Sequence, residues 1–185
     1  QMCIRDREEY ETFAPDIIIT SGGISHGKYE VVRNAIALAP SLGLPIPLSW
    51  FGHVSQQPGG PQGVNVLDFN GHRLPMISFP GNPVSTLISY VLMLRPYLRA
   101  GGPYGTPHEV ASRMATLENA PRGVLVIDKP LTAPPNKRQF LRGNLAMVES
   151  EPGTYRVELY PDVLPGSHLL HPAAPADVLI ELAPG

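Results

Sequence analysis

Thiols are almost missing from this sequence. One of its 185 residues, Cys3, is a cysteine, so no internal disulfide can form and no thiolate cluster can hold a metal. That usage is compatible with a reducing interior compartment. Charge is scarce too: Asp, Glu, Lys and Arg make up 16% of the chain, against about a quarter in an average domain. Seven basic residues stand against seven acidic ones up to Pro103 and seven against nine beyond it, for a formal net charge of −2. A general binder of nucleic acid or of an anionic membrane needs a basic field; none is present, and only a local anion pocket stays open. No apolar run reaches 18 residues, so no transmembrane helix is predicted, and Gln1 to Arg7 lacks the apolar stretch of a signal peptide. The opening residues 1–9 read as a short foreign lead to a chain that starts inside a domain. A chain of this length can bury a core as one large domain or two small ones, but cannot hold a large multidomain enzyme.

Turn formers are what the sequence has in abundance. With 22 Pro and 18 Gly, 40 of 185 residues favour turns, which predicts many short elements. Asp16 to Thr20 (DIIIT) is a β-branched apolar run of the kind buried in parallel sheets. The glycine loop Ser21 to Gly27 follows, then helical spacing over about Lys28 to Ala39, with Pro40 as the predicted stop. Irregular strands are expected near Ile46 to Trp50 and Val64 to Leu67. Asn70-Gly71 is the strongest hairpin pair and leads into a buried strand, RLPMISF. Pro80-Gly81-Asn82-Pro83 then opens a helix, with Asn82 as N-cap and Pro83 as first helical residue. Pro96 is expected to kink or shorten its last turn, and Ala100 to Pro103 to break it at a domain boundary. Beyond Gly105 the segments at Gly123 to Ile127, Arg138 to Glu149, Thr154 to Tyr160 and Asp177 to Leu182 read as strands of a small β domain, barrel-like or sandwich-like.

The chemistry-bearing residues gather at the two strand–loop–helix junctions. In Ser21 to Gly27, three glycines and two hydroxyls stand where open α/β sheets bind ligands, and a phosphate is the natural guest. The competing reading is a set of tight-turn glycines; the dinucleotide fingerprint is absent. Glu30 is either a Mg²⁺ or water ligand or a solvated first-turn acid. His26 and His53 are either anion or proton-transfer groups or surface histidines. His168 and His171 make only a weak pair. Lys137, Arg138 and Arg142 form the densest basic patch, and Gly166-Ser167-His168 marks a glycine turn: a polyanion contact or a charged strand face. Trp50 and Phe51 either stack on a flat heterocycle or pack a core edge. No Ser-His-Asp arrangement activates Ser21 or Ser25.

DIIITSGGISHGKYEVVR, VSQQPGGPQG, ISFPGNPVSTLISYVLMLRPYLR, KRQFLRGNL and PGSHLL, in this order and spacing, resemble the C-terminal part of the molybdopterin molybdenumtransferases, the MoeA and gephyrin E-domain family. The resemblance covers nearly all of the chain from about Ala14. It implies an open, mostly parallel α/β sheet, incomplete at its N-terminus, over residues 14–103 and a barrel-like all-β domain over 106–185. It implies an enzyme that inserts molybdate into adenylylated molybdopterin with Mg²⁺ and releases AMP, in the cytoplasm. Its partners would be pterin nucleotide and oxyanion, a second copy in a homodimer when full length, and the molybdopterin adenylyltransferase. Ser21, Gly22, Gly23, Ser25 and Gly27 would line the pterin-phosphate or adenylate side, and Pro80, Gly81, Asn82, Pro83 and Ser85 the opposite wall. Pro58 and Gly59 belong to a third stretch of the site. Glu30 and Ser25 would be the catalytic positions, with Glu30 the metal ligand where the family has aspartate. The chain departs from the family at His26, at Lys28, and at His53, Gln57 and Gly60, which stand where the family carries lysines. The alternative is a pterin-nucleotide-binding or scaffold module without the metal-insertion step.

Overall fold

The computed structural model describes residues 14–25, 27, 30–117, 124–126, 130–147, 154–159 and 176–185. The β-branched run forms β1 (Ile18–Ser21), and after the glycine loop comes α1 (Val31–Leu38), extended by a 3₁₀ turn (Ala39–Leu42). The α-helix stops at Leu38, before Pro40 as expected, and Pro40 sits in the first turn of the 3₁₀ segment, where its missing N–H is not needed. Then follow β2 (Leu48–His53), the two-residue β3 (Gln56–Gln57), β4 (Pro61–Phe69) and β5 (His72–Phe79). Asn70 and Gly71 both have positive φ, as a two-residue hairpin loop demands, so β4 and β5 close with Phe69 opposite His72.

That hairpin corrects the expectation of a mostly parallel sheet. The strand order is β1-β5-β4-β2; β1 and β5 are parallel, but β5–β4 and β4–β2 are antiparallel. One face is covered by α1, which packs Ile36 and Val32 onto Leu67, Leu74 and Met76. Burying a side chain as completely as Leu74 contributes about 1.5–3 kcal/mol. On the opposite face the row Ile19, Ile77, Val64 and Trp50 runs across four paired strands. Phe51 alternates to the covered face, where it joins the core and the Arg33 guanidinium stands 5.8 Å from its ring centre.

The PGNP segment opens α2 (Pro83–Ser89), which passes through one π turn (Tyr90–Leu94) into α3 (Arg95–Arg99). Pro96 cannot donate its N–H, and the widened turn lies immediately before it; the helix changes register instead of ending. Gly101 and Gly102, both at positive φ, then break it.

An unexpected helix, α4 (Pro107–Leu117), follows. Its start is a capping box. Thr106 Oγ1 accepts from the Glu109 N–H at 3.3 Å, while the Glu109 carboxylate accepts from the Thr106 N–H at 3.0 Å. The Thr106-x-x-Glu109 spacing was the available signal in the sequence.

The second sheet holds β6 (Val124–Val126), β7 (Arg138–Met147), β8 (Thr154–Leu159) and β9 (Val178–Leu182), within the four stretches expected to be strands. Gln139 pairs with both Gln57 and Leu182, and Gly143 with both Leu159 and Val178. Hence β9 takes one edge of β7, while β3 and β8 share the other. A strand from the first half of the chain thus belongs to this sheet, and the pairings described form no closed barrel. Val84 and Ile88 of α2 pack against Phe140 of β7, with Leu92 and Leu179 around them, which joins the helix to the second sheet. Among the described residues, no helix is long and apolar enough to cross a membrane.

Candidate functional site

Two loops leave the carboxyl ends of the adjacent parallel strands β1 and β5, and they touch. A Cβ placed on Gly81 would stand 3.1 Å from Gly22 Cα, so neither chain could approach this closely with a side chain between them. Ser21 fastens the pair: its Oγ donates to Pro80 O at 3.3 Å and lies 3.2 Å from Thr86 Oγ1, which itself donates to Pro80 O. Gly22 N–H is bound to Phe79 O at 2.9 Å. Gly23, at φ +70°, lies against the first turn of α1, where a Cβ would meet Val32 N at 3.0 Å.

The third wall is the loop from Gln56 to Pro61. Gly59, at φ +95°, is pressed between Gln56 and α2; its carbonyl accepts from Gln62 Nε2 at 2.8 Å, and the same nitrogen donates to Ser89 Oγ at 2.6 Å. Gln62 is buried, and its two bonds pin the loop to the helix. Gln56 Nε2 donates to Pro58 O at 3.1 Å. Neither glutamine was legible as a site residue, since a glutamine in a strand ordinarily faces water.

These walls enclose a cavity of about 530 Å³. Of the residues singled out in the sequence, Gly22, Gly23, Ser25, Glu30, Pro58, Gly59, Pro80, Gly81, Asn82 and Ser85 line it. Ser21, Gly27 and Pro83 do not. Ser21 ties the loops from behind, Gly27 donates its N–H to Glu30 Oε1 at 3.2 Å, and Pro83 is the first residue of α2. Asn82 is the N-cap by backbone, but its side chain makes no cap bond. Pro83 has no N–H, and the first intrahelical bond is Thr86 N–H to Asn82 O at 2.9 Å. The amides of Val84 and Ser85 therefore have no acceptor within the helix.

Glu30 has one carboxylate oxygen engaged by Gly27, and it is the N-cap residue of α1. Among the described residues no three His, Cys, Asp or Glu side chains converge as a metal site. A single carboxylate suits Mg²⁺ only in the mode where substrate phosphates and water complete the shell.

The basic patch expected at Lys137, Arg138 and Arg142 is divided. Lys137 enters the cavity lining, Arg138 pairs with Glu181 at 3.1 Å, and Arg142 is buried in the second sheet, where desolvation draws its pKa down. The split follows from position along β7, whose outer end is exposed and whose middle is covered. His53, Gln57 and Gly60 also line the cavity. Trp50 and Phe51 do not: Trp50 is exposed on the open sheet face and Phe51 packs the core. His26, Lys28, Gly166, Ser167, His168 and His171 lie outside the described residues. A second cavity, of about 570 Å³, lies at the opposite end of β1 and β5 beside Asp16, Arg73 and Tyr104, and none of the expected site residues lines it.

Comparison with known proteins gives matches over both parts of the chain. Residues 4–100 match the family described as "Probable molybdopterin binding domain", and residues 125–185 match the "MoeA C-terminal region (domain IV)". Among curated relatives, molybdopterin molybdenumtransferase 2 of Mycobacterium tuberculosis is 36% identical over 167 residues, which is 90% of this chain and 36% of the relative. Molybdopterin molybdenumtransferase 1 of the same organism is 27% identical over 172 residues, 92% of this chain and 35% of the relative. Gephyrin of Dictyostelium discoideum is 33% identical over 102 residues, 49% of this chain and 13% of that protein. The chain thus spans about a third of the length of the two transferases.

Proposed function

The chain belongs to the molybdopterin-binding family of MoeA and gephyrin type, and from that premise we propose that it carries part of a molybdopterin molybdenumtransferase site. The reaction would insert molybdate into adenylylated molybdopterin and release AMP. The observation that carries this reading is the convergence of three loops on one cavity, with α2 amides that have no helical acceptor at one wall and Lys137 at another.

In this proposal residues 14–103 form the partial molybdopterin-binding α/β domain and residues 106–185 the β domain. Amides of the glycine loops and of the α2 start would hold the ligand's phosphates, since backbone donors at a helix start favour negative charge. Lys137 would add a point charge. Asn82 and Ser85 would orient the ligand by hydrogen bonds, and Ser25 would close over it from the β1 loop. Glu30 would hold Mg²⁺ together with the substrate phosphates; when bound, the ion neutralises phosphate charge and polarises the anhydride. Donors already fixed in place stabilise charge on the departing AMP without reorganising. The full-length protein would act as a cytoplasmic homodimer and receive its substrate from the adenylyltransferase.

A second reading is a pterin-nucleotide-binding module that has lost metal insertion. It is favoured by one observation: among the described lining residues Lys137 is the sole permanent cation, with His53, Gln57 and Gly60 where the family resemblance places lysines. AMP release separates the two. Under anaerobic conditions with Mg²⁺ and adenylylated molybdopterin, the first reading expects AMP to appear on addition of molybdate. Tight binding without molybdate-dependent AMP supports the second and overturns the first.

A further inference from the structure

We propose that Gln62 is a positioning residue of this cleft: its buried carboxamide fixes the orientation of the Gly59–Gly60 peptide in the third wall, and through that wall the fit of the pterin nucleotide. The inference rests on the reading of the cleft as the site for that ligand.

The peptide has little of its own to hold it. It joins two glycines, and Gly59 stands at φ +95°, a conformation that is ordinary only without a side chain. A peptide flanked in this way turns over at small cost, which exchanges the directions of its C=O and N–H. Three hydrogen bonds act along the loop. Pro58 O accepts from Gln56 Nε2 at 3.1 Å, Gly59 O from Gln62 Nε2 at 2.8 Å, and Gly60 O from Val54 N–H at 2.8 Å. The first and the last hold the neighbouring peptides, and of the three only the bond from Gln62 acts on Gly59–Gly60. Because a trans peptide carries its C=O and N–H on opposite edges, that bond also turns the Gly60 N–H away from Gln62.

β4 and α2 place Gln62 for this task. Its Cα pairs with Gly52 of β2, and the residue is 3% exposed. The amide nitrogen donates a second time, to Ser89 Oγ at 2.6 Å at the last residue of α2, so both of its hydrogens are used and the carboxamide has one orientation. Gly59 is pressed against the same helix: a Cβ there would meet Ser89 Oγ at 3.1 Å and Ser85 O at 3.3 Å. Ser85 and Gly59 line the cavity, whereas Gln62 and Ser89 do not. Gln62 therefore reaches the ligand only through the wall that it holds. Burying a carboxamide carries a desolvation cost that an apolar side chain of the same length would avoid. The two bonds offset it, and without them Gly59 O loses its partner.

The test is an anaerobic calorimetric titration with adenylylated molybdopterin and Mg²⁺ at about pH 8 and pH 5, using the native chain, Gln62→Met and Gln62→Glu. Amide spectra of the labelled chains report that each is folded and follow the Gly60 N–H. Methionine keeps the length but has no donor; an ionised glutamate only accepts, and a protonated one regains a single donor. Gln62→Met is expected to bind about tenfold more weakly than the native chain at both pH values, with a displaced Gly60 amide signal. Gln62→Glu should bind more tightly than Gln62→Met at pH 5, a recovery that a purely space-filling role does not produce. If Gln62→Met does not fold, the recovery of Gln62→Glu toward native affinity between pH 8 and pH 5 decides alone. Native affinity in folded Gln62→Met, or no recovery of Gln62→Glu at pH 5, overturns this inference and leaves the cleft reading standing. A folded native chain that binds at neither pH overturns both.

Discussion

Gly23 decides whether the first glycine loop can pass over the start of α1. Its φ of +70° lies in the left-handed region, and a Cβ there would press on Val32 N at 3.0 Å. Gly23→Ala should therefore cost about 1–2 kcal/mol, from the backbone conformation alone, read as a lower urea midpoint at unchanged m-value. A cost near zero would mean that the loop runs elsewhere. The glycines and the Asn82-Pro83 start were legible in the sequence because turn geometry and helix starts demand particular residue types. Gln62 was not, since its value lies in reaching Gly59 O and Ser89 Oγ, partners remote in the chain that only the folded loop supplies. Lys137 stood in the sequence beside Arg138 as one of a patch; Glu181, which the pairing of β9 with β7 brings alongside, holds Arg138, while Lys137 lines the cleft.

At the scale of elements, local signals were read well where one strand or helix determines itself. The Asn70-Gly71 hairpin, the strands of the second sheet and the α2 start follow from turn chemistry and period-two alternation. Two features escaped. β3 is two residues long and has no pattern of its own; it exists because β7 offers an edge. α4 was hidden by the expectation of an all-β region, although its capping box is local. That box makes a pH prediction. Hydrogen bonds from the Thr106 hydroxyl and amide hold the Glu109 pKa below its ordinary value. The folded-state pKa is thus depressed, so the stabilisation is present above the unfolded-state value and is lost as pH falls through the folded one. Amide exchange in the first turn of α4 should accelerate as the solution is acidified through the carboxylate range, and Thr106→Ala, which removes the hydroxyl and keeps the amide, should weaken that dependence while costing about 1 kcal/mol of helix stability. Exchange that ignores both acid and Thr106→Ala would contradict the capping role.

On the scale of the whole molecule, the first sheet is covered on one face by α1, while Ile19, Val64 and Trp50 stay exposed on the other. Composition could not foresee this, because strands with apolar residues on both faces read as buried ones. Trp50 is the sole tryptophan and is 44% exposed, so its fluorescence is expected to be quenched readily by acrylamide in the isolated chain. Strong shielding would show that something covers that face. The mostly parallel sheet was implied by the family resemblance, but the Asn70-Gly71 hairpin sets β4 antiparallel to β5, and β4 pairs antiparallel with β2 as well.

The cleft itself is a property of the whole chain, assembled from β1, β5, the β3 loop and the turn before β7. Its most direct test is an anaerobic calorimetric titration of the chain with adenylylated molybdopterin and Mg²⁺, repeated with Lys137→Ala and with Ser25→Trp to fill the cavity. The account predicts saturable binding, weakened about tenfold by loss of the Lys137 charge and abolished by Ser25→Trp. Binding that is indifferent to both substitutions, or absent in a folded chain, would contradict it.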